Sequence, residues 1–235
     1  MKLSFWTLPA MPAVLSVTAG YVDTAGFLAL HGLFTSHVTG NFVTLGASLV
    51  HGTSGATAKI LALPVFCATV FGIRILQYGI ERRGLPALGT LLTLQLALLT
   101  LGGLLATRFG PFPDADALPA LMTGMALVIA MAIENGFHRT HFSSAPPSTI
   151  MTGTTTQVML DLADLFHGVS PEAKAALRPR LTSMLDSVVA FALGCGAAAL
   201  LYLHFRERAF VVPPVLGALT LLLHLSGKTK KKTPA

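Results

Sequence analysis

Long apolar stretches dominate the chain, and short polar or turn-forming clusters cut them off. Six of them, at about Leu8–Leu33, Ala58–Ile80, Leu88–Ala106, Leu118–Phe137, Met184–Phe205 and Val211–Leu225, read as membrane-crossing helices. The punctuation between them is strong: His51-Gly52-Thr53-Ser54-Gly55, Glu81-Arg82-Arg83-Gly84 and Gly110-Pro111-Phe112-Pro113-Asp114-Ala115-Asp116. A polar loop carrying Lys174, Arg178 and Arg180 is expected before the fifth span. In the first span Ser16, Gly20 and Thr24 recur every four residues, which makes a seam for close helix packing. Asp23, three residues after Gly20, falls on the same side.

Two polar knots interrupt this pattern. Ser36-His37-Val38-Thr39-Gly40-Asn41 opens a segment running to Val50, and Ser148-Thr149-Ile150-Met151-Thr152-Gly153-Thr154 opens one running to Phe166. As a helix, residues 38–50 rise roughly 20 Å, against a hydrocarbon core about 30 Å thick. Asp161 and Asp164 oppose an unassisted crossing by the second segment and are expected on a wetted face. The halves also match one another. Gly20-x-x-Asp23 aligns with Ala132-x-x-Asn135, and Thr39-Gly40-Asn41 then falls on Thr152-Gly153-Thr154 with one inserted residue. The predicted fold is an all-α membrane protein of six transmembrane helices plus two short re-entrant helices, at about 38–50 and 150–166. They form two inverted three-span repeats, residues 1–110 and 111–235, in one membrane domain.

Composition agrees with lipid as the main solvent. Of 235 residues 53% are hydrophobic and 11% charged, with mean hydropathy +0.69, where soluble domains carry about 25% charged residues. Cys67 and Cys195 lie in apolar runs and form neither a metal set nor a disulfide framework. The formal charge is +6, and its densest run, Lys228-Thr229-Lys230-Lys231-Lys232, reads as a cytoplasmic anchor after a last span rather than a nucleic-acid arm. Pro9, Pro12 and Asp23 break the core that a cleaved signal peptide would need. With re-entrant short segments the inner side holds Lys2, Arg74, Arg82, Arg83, Arg139, Lys174, Arg178, Arg180, Lys228, Lys230, Lys231 and Lys232. The outer side keeps Lys59, Arg108, Arg206 and Arg208. Twelve against four favours this arrangement over the ten against six of fully crossing segments. Both termini are then cytoplasmic.

The candidate chemistry gathers at the knots. A helix start offers unpaired N–H groups and about half a positive charge, which suits a small polar or anionic solute. The expected solute contacts are Thr39, Gly40, Asn41, Thr152, Gly153, Thr154 and Asn135. Simple capping of buried helix starts by the threonines fits the same residues. Asp23, a carboxylate within a span, suits proton or ion coupling, with His37 and Glu134 as companions; carboxylates locked by interhelical hydrogen bonds, and a neutral bonded imidazole, are the structural alternatives. Glu134 and His138 also read as an interfacial pair, and Gln95 and Gln157 as interhelical amides. No metal site, cofactor or catalytic signature is expected, and the chain is not read as an enzyme.

Gly20-Tyr21-Val22-Asp23-Thr24-Ala25-Gly26-Phe27 with Phe34-Thr35-Ser36-His37-Val38-Thr39-Gly40-Asn41 resembles the YoaK-like family of bacterial membrane proteins. Ala132-Ile133-Glu134-Asn135-Gly136 and Thr149-Ile150-Met151-Thr152-Gly153-Thr154 are similar to that family's second pair of motifs. Val38 stands where the family usually has Met, and Glu134 where it often has Gln. The resemblance implies a multi-span bacterial inner-membrane protein of unknown function, and supplies no substrate. From the residues, the expected function is transport of a small polar or anionic solute, with proton coupling through Asp23. A channel, a non-transporting scaffold or partner subunit, and last a membrane enzyme are the alternatives. The expected partners are the lipid bilayer and the solute, not nucleic acid, and a homo-oligomer is compatible with all of this.

Overall fold

The computed structural model describes residues 10–231, with side chains to Gly227. Eight α-helices are described: α1 (Ala10–Ala29), α2 (Gly40–His51), α3 (Ala56–Arg82), α4 (Ala87–Phe109), α5 (Leu118–His141), α6 (Met151–His167), α7 (Pro171–Phe205) and α8 (Val212–Lys231). A 3-10 turn, Arg206–Val211, joins the last two. No strand occurs among the described residues. Residues 8 and 9 of the first expected span, together with Lys2 and Lys232, lie outside the described residues.

Four helical stretches are long and apolar enough to cross a membrane: α3, α4, α5 and the continuous run Pro171–Gly227. The exposed surface carries large apolar side chains, among them Phe71, Leu104, Leu193, Leu203 and Leu222, all more than half exposed. A water-facing surface of that kind would be an aggregation liability, whereas lipid accepts it. α1 and α5 are the enclosed helices, and most of their residues are buried. α1 carries Ser16, Thr18, Gly20 and Asp23 because protein surrounds it.

Small residues set the closest approach. Ser16 Oγ and Ser187 Oγ share a hydrogen bond of 3.0 Å. A Cβ at Gly20 would collide with the Phe191 carbonyl oxygen, and one at Gly194 with the Val17 carbonyl. Thr24 and Cys195 border the same space beside this contact. The four-residue seam of α1 therefore seats α7.

Apart from the contact of α3 with α4, which has no counterpart between α7 and α8, the helix packing survives an exchange of the halves. α1 packs on α7 as α5 does on α3; α4 packs on α5 as α8 does on α1; α2 lies on α3 as α6 does on α7. α4 meets α8, and α1 meets α5. Renaming α1–α4 as α5–α8 leaves this set unchanged. Side-chain struts repeat as well. Lys59 on α3 donates to Ser48 Oγ on α2 at 2.5 Å, and Arg180 on α7 donates to Asp161 on α6 at 2.5 and 3.0 Å. Ser48 and Asp161 are related by the same offset as the two knots.

One end of the bundle gathers several connections. His31 Nε2 donates to the Phe112 carbonyl at 2.8 Å, so its Nδ1 accepts from Ser54 Oγ at 3.1 Å. The amides of Gly55 and Thr57, at the start of α3, each donate to Asp116 at 2.8 Å. Burial of Asp116 opposes its charge, but hydrogen bonds from the amides of Gly55, Thr57 and Ala56 outweigh it and hold the carboxyl below its ordinary value. Gly110 lies against Glu207 of the 3-10 turn. The exit of α1, the exit of α2 and the entry of α3 thus share one end. α2 has 12 residues, a rise of about 18 Å.

Two readings of the second half are corrected. Residues 174–180 are helical, not loop: α7 starts at Pro171, capped by Ser170 Oγ, which accepts from the Ala173 amide at 3.3 Å. Asp161 does not sit on a wetted face; it is fully buried and also accepts from Gln157 at 2.7 Å. That bond makes Gln157 an intrahelical partner rather than an interhelical one.

Candidate functional site

The first knot is stapled to α1 by one carboxylate. Asp23 Oδ1 accepts from the Thr35 amide at 2.7 Å, the Ser36 amide at 2.8 Å and Thr35 Oγ1 at 3.1 Å. Asp23 Oδ2 meets His37 Nδ1 at 2.5 Å. A buried carboxylate is tolerable where donors surround it, and here the donors are the backbone of the break itself. Asn41 closes the same loop. Its Nδ2 donates to the Phe34 carbonyl and its Oδ1 accepts from the Phe34 amide, both at 2.8 Å.

The second knot is held by two side chains at the equivalent place. Thr149 Oγ1 donates to Asn135 Oδ1 at 2.7 Å, and Ser148 Oγ to Glu134 Oε1 at 2.8 Å. Glu134 Oε2 accepts from Gln95 on α4 at 2.7 Å. Glu134 is therefore bound to α4 and the knot, and the interfacial pairing with His138 does not form. Gln95 is the interhelical amide expected of it.

Between the knots lies a cavity of about 610 Å³, within the range of small-molecule sites. Its lining includes Ser36, His37 and Thr39 from the first knot and Thr149, Ile150 and Thr152 from the second. α3 contributes Phe66, Val70, Ile73, Arg74 and Gln77; α5 contributes Asn135, Arg139 and Thr140. Arg74 lies over the Tyr78 ring at 4.3 Å and donates to Gln77 Oε1 at 3.1 Å. Gln77 in turn donates to Thr140 at 3.1 Å. Arg74, Arg139 and the threonines are thus among the polar parts of a lining whose surface is mostly apolar.

A second cavity, of about 520 Å³, adjoins the first knot on its other side. Asp23, Thr24, Phe27, Phe34, His37, Thr39, Gly40, Phe191 and Cys195 line it.

The expected site residues divide accordingly. Thr39, Thr152 and Asn135 line the first cavity and Gly40 the second, while Asp23 and His37 are paired directly. Asn41 is buried with both ends of its amide engaged, and Thr154 Oγ1 donates to the Ile150 carbonyl at 2.8 Å, so neither faces the first cavity. Gly153 is also absent from its lining, and Glu134 is sealed inside the bundle. Thr39 stands at the N-cap of α2 without a side-chain capping bond, and Ile150 holds that place in α6. Threonine capping therefore does not account for these residues. Sequence reasoning places Arg74 and Arg139 only among the inner-side charges. The signal for Arg139 was available: it lies four residues, one turn, after Asn135.

The profile of the family described as "Protein of unknown function (DUF1275)" matches residues 11–223, nearly the whole chain, and the chain belongs to that family. The YoaK-like resemblance carried by the two knots is consistent with this. No curated protein and no solved structure matches the chain.

Proposed function

We propose that this DUF1275 protein is a membrane transporter for a small anionic solute, bound between the two knots, and not an enzyme. The observation that carries the reading is that one cavity is lined by both knots together with Arg74 and Arg139. First-turn amides of α2 and α6 add a positive end to each helix, and broken helices meeting near a bundle's middle are where inverted-repeat transporters hold cargo. The paired Asp23 and His37 at the cavity wall supply a group that can exchange a proton during passage.

The same reading includes the finer architecture. α1, α3, α4, α5, α7 and α8 cross, while α2 and α6 dip in and return, in two inverted repeats. The meeting of His31, Ser54 and Phe112 at one end supports a re-entrant α2. Arg82, Arg83, Lys174 and Arg178 lie toward the opposite end, which is then the cytoplasmic side of a bacterial inner membrane.

The test is a thermal-shift panel of small carboxylates, phosphate and sulfate, followed by flux of any stabilising anion into proteoliposomes. Ligands stabilise the state they bind. Saturable flux that is lost in Arg139→Gln and Arg74→Gln supports the reading. Flux unchanged in both variants, or no anion giving a shift, removes it.

A further inference from the structure

Part of the lining of the two cavities is related by the exchange of halves. Asp23, Phe27, His37 and Thr39 around the second correspond in sequence offset to Asn135, Arg139, Ile150 and Thr152 around the first. His37 and Thr39 line both cavities and form the wall between them. The first chamber reaches Arg139 and Thr140, within a turn of the α5 exit; the second reaches Phe27, near the α1 exit at the opposite end of the bundle.

We infer that the second chamber is the onward compartment of a route through the protein, and that the His37 side chain is the partition the solute must displace. This rests on the transport reading above. Three aromatic rings brace the partition. The His37 ring meets Phe191 edge-on with centroids 5.6 Å apart and Phe34 at 6.1 Å, and Phe27 lies 5.0 Å from Phe34. Nδ1 is tied to Asp23, while Nε2 has no hydrogen-bond partner among the described residues. Besides Asp23, Nδ1 has Ser36 Oγ at 3.5 Å, and the ring stands between the two open spaces, so release from Asp23 lets it turn past the phenylalanines into either one. The chambers also differ in chemistry. Phe27 stands where the first chamber has Arg139, so an anion held in the first meets no matching cation in the second. A route needs binding strong enough to admit the solute and weak enough to release it, and the Arg139/Phe27 difference supplies that gradient.

Cys195 lines the second chamber and reports on it. In Cys67→Ser it is the chain's only cysteine. In vesicles of known orientation, a membrane-impermeant methanethiosulfonate is added to one face at a time. Cys195 is expected to react from the His31 face and not from the Arg139 face, and adding His37→Ala is expected to open it to both. A second variant leaves His37 intact: with both native cysteines replaced by serine, the thiol of Thr39→Cys is expected to react from both faces, because Thr39 borders both chambers. Reaction of the Thr39→Cys thiol from one face only overturns the inference. So does a Cys195 that reacts from both faces before His37 is changed, or that stays closed to the Arg139 face afterwards. Loss of anion binding with these accessibilities intact would remove the solute reading and leave the route standing.

Discussion

Asp23 separates a staple from a proton carrier, and two substitutions at that position tell them apart. Asp23→Ala removes the acceptor for the buried Thr35 and Ser36 amides at 2.7 and 2.8 Å. A buried donor left without a partner costs about 1–3 kcal/mol, so the pair amounts to about 2–6 kcal/mol. Loss of the Thr35 hydroxyl and His37 bonds adds to this. Set against the ~5–15 kcal/mol that holds a typical domain folded, the alanine variant is expected to melt well below the parent or to fail to accumulate. Asp23→Asn behaves differently. Its carbonyl oxygen still accepts the three bonds made by Oδ1, and its NH₂ can donate to a neutral His37 Nδ1, so only the charge-assisted part is lost, on the order of 1 kcal/mol. Thermal unfolding followed by helical circular dichroism in detergent orders the three proteins: parent above Asn, with Ala far below. An alanine variant that melts with the parent, or an asparagine variant as weak as alanine, refutes the staple.

Other expectations follow from packing and charge. Gly20→Ala and Gly194→Ala each place a methyl group against a backbone carbonyl, which cannot move aside cheaply, so both should lower yield and melting temperature sharply. Gly46→Ala meets nothing within 4 Å and should match the parent or exceed it slightly. Arg180→Met leaves the buried Asp161 carboxylate without its cation and should destabilise, by less than the about 3–5 kcal/mol of a fully buried pair because Arg180 is itself half exposed, with Asp161→Leu in the same chain restoring much of the loss in a chemical-denaturation series. Asp116 has a folded value below its unfolded one, so its contribution is present above the ordinary aspartate range and is lost as pH falls through the folded value. Melting temperature should drop over that acidic window in the parent, and less steeply in Asp116→Asn; parallel curves would exclude the α3 anchor.

The helices and the knots were legible because each depends on local pattern. Apolar runs bounded by Gly, Pro and charge gave the long helices, and the Thr-Gly pairs marked both short ones. What stayed hidden depends on partners distant in sequence. Residues 171–183 read as loop because their charges mask an amphipathic start, although Ser170-Pro171-Glu172 is a good helix opening. Asp161 read as wetted because nothing nearby in sequence announces Arg180, nineteen residues on. Asn41 looked like a ligand because an amide beside a glycine at a helix start fits solute binding and loop closure equally. Only the position of the Phe34 backbone decides between them. Arg74 needed the cavity itself to be seen, since one arginine near a span's end is ordinary anchoring.

The interleaved packing bears on ancestry. The leading helix of each half is clasped by the third helix of the other, so neither half owns a complete interior. A forebear of half this length, with the same helices, would have found its missing walls only in a second copy of itself. Fusion of two such copies would leave each free to diverge while the clasp persists, and one half has an aspartate, Asp23, at the position where the other has Asn135. Cutting the chain within 110–117 should therefore yield fragments that are insoluble apart and assemble when made together.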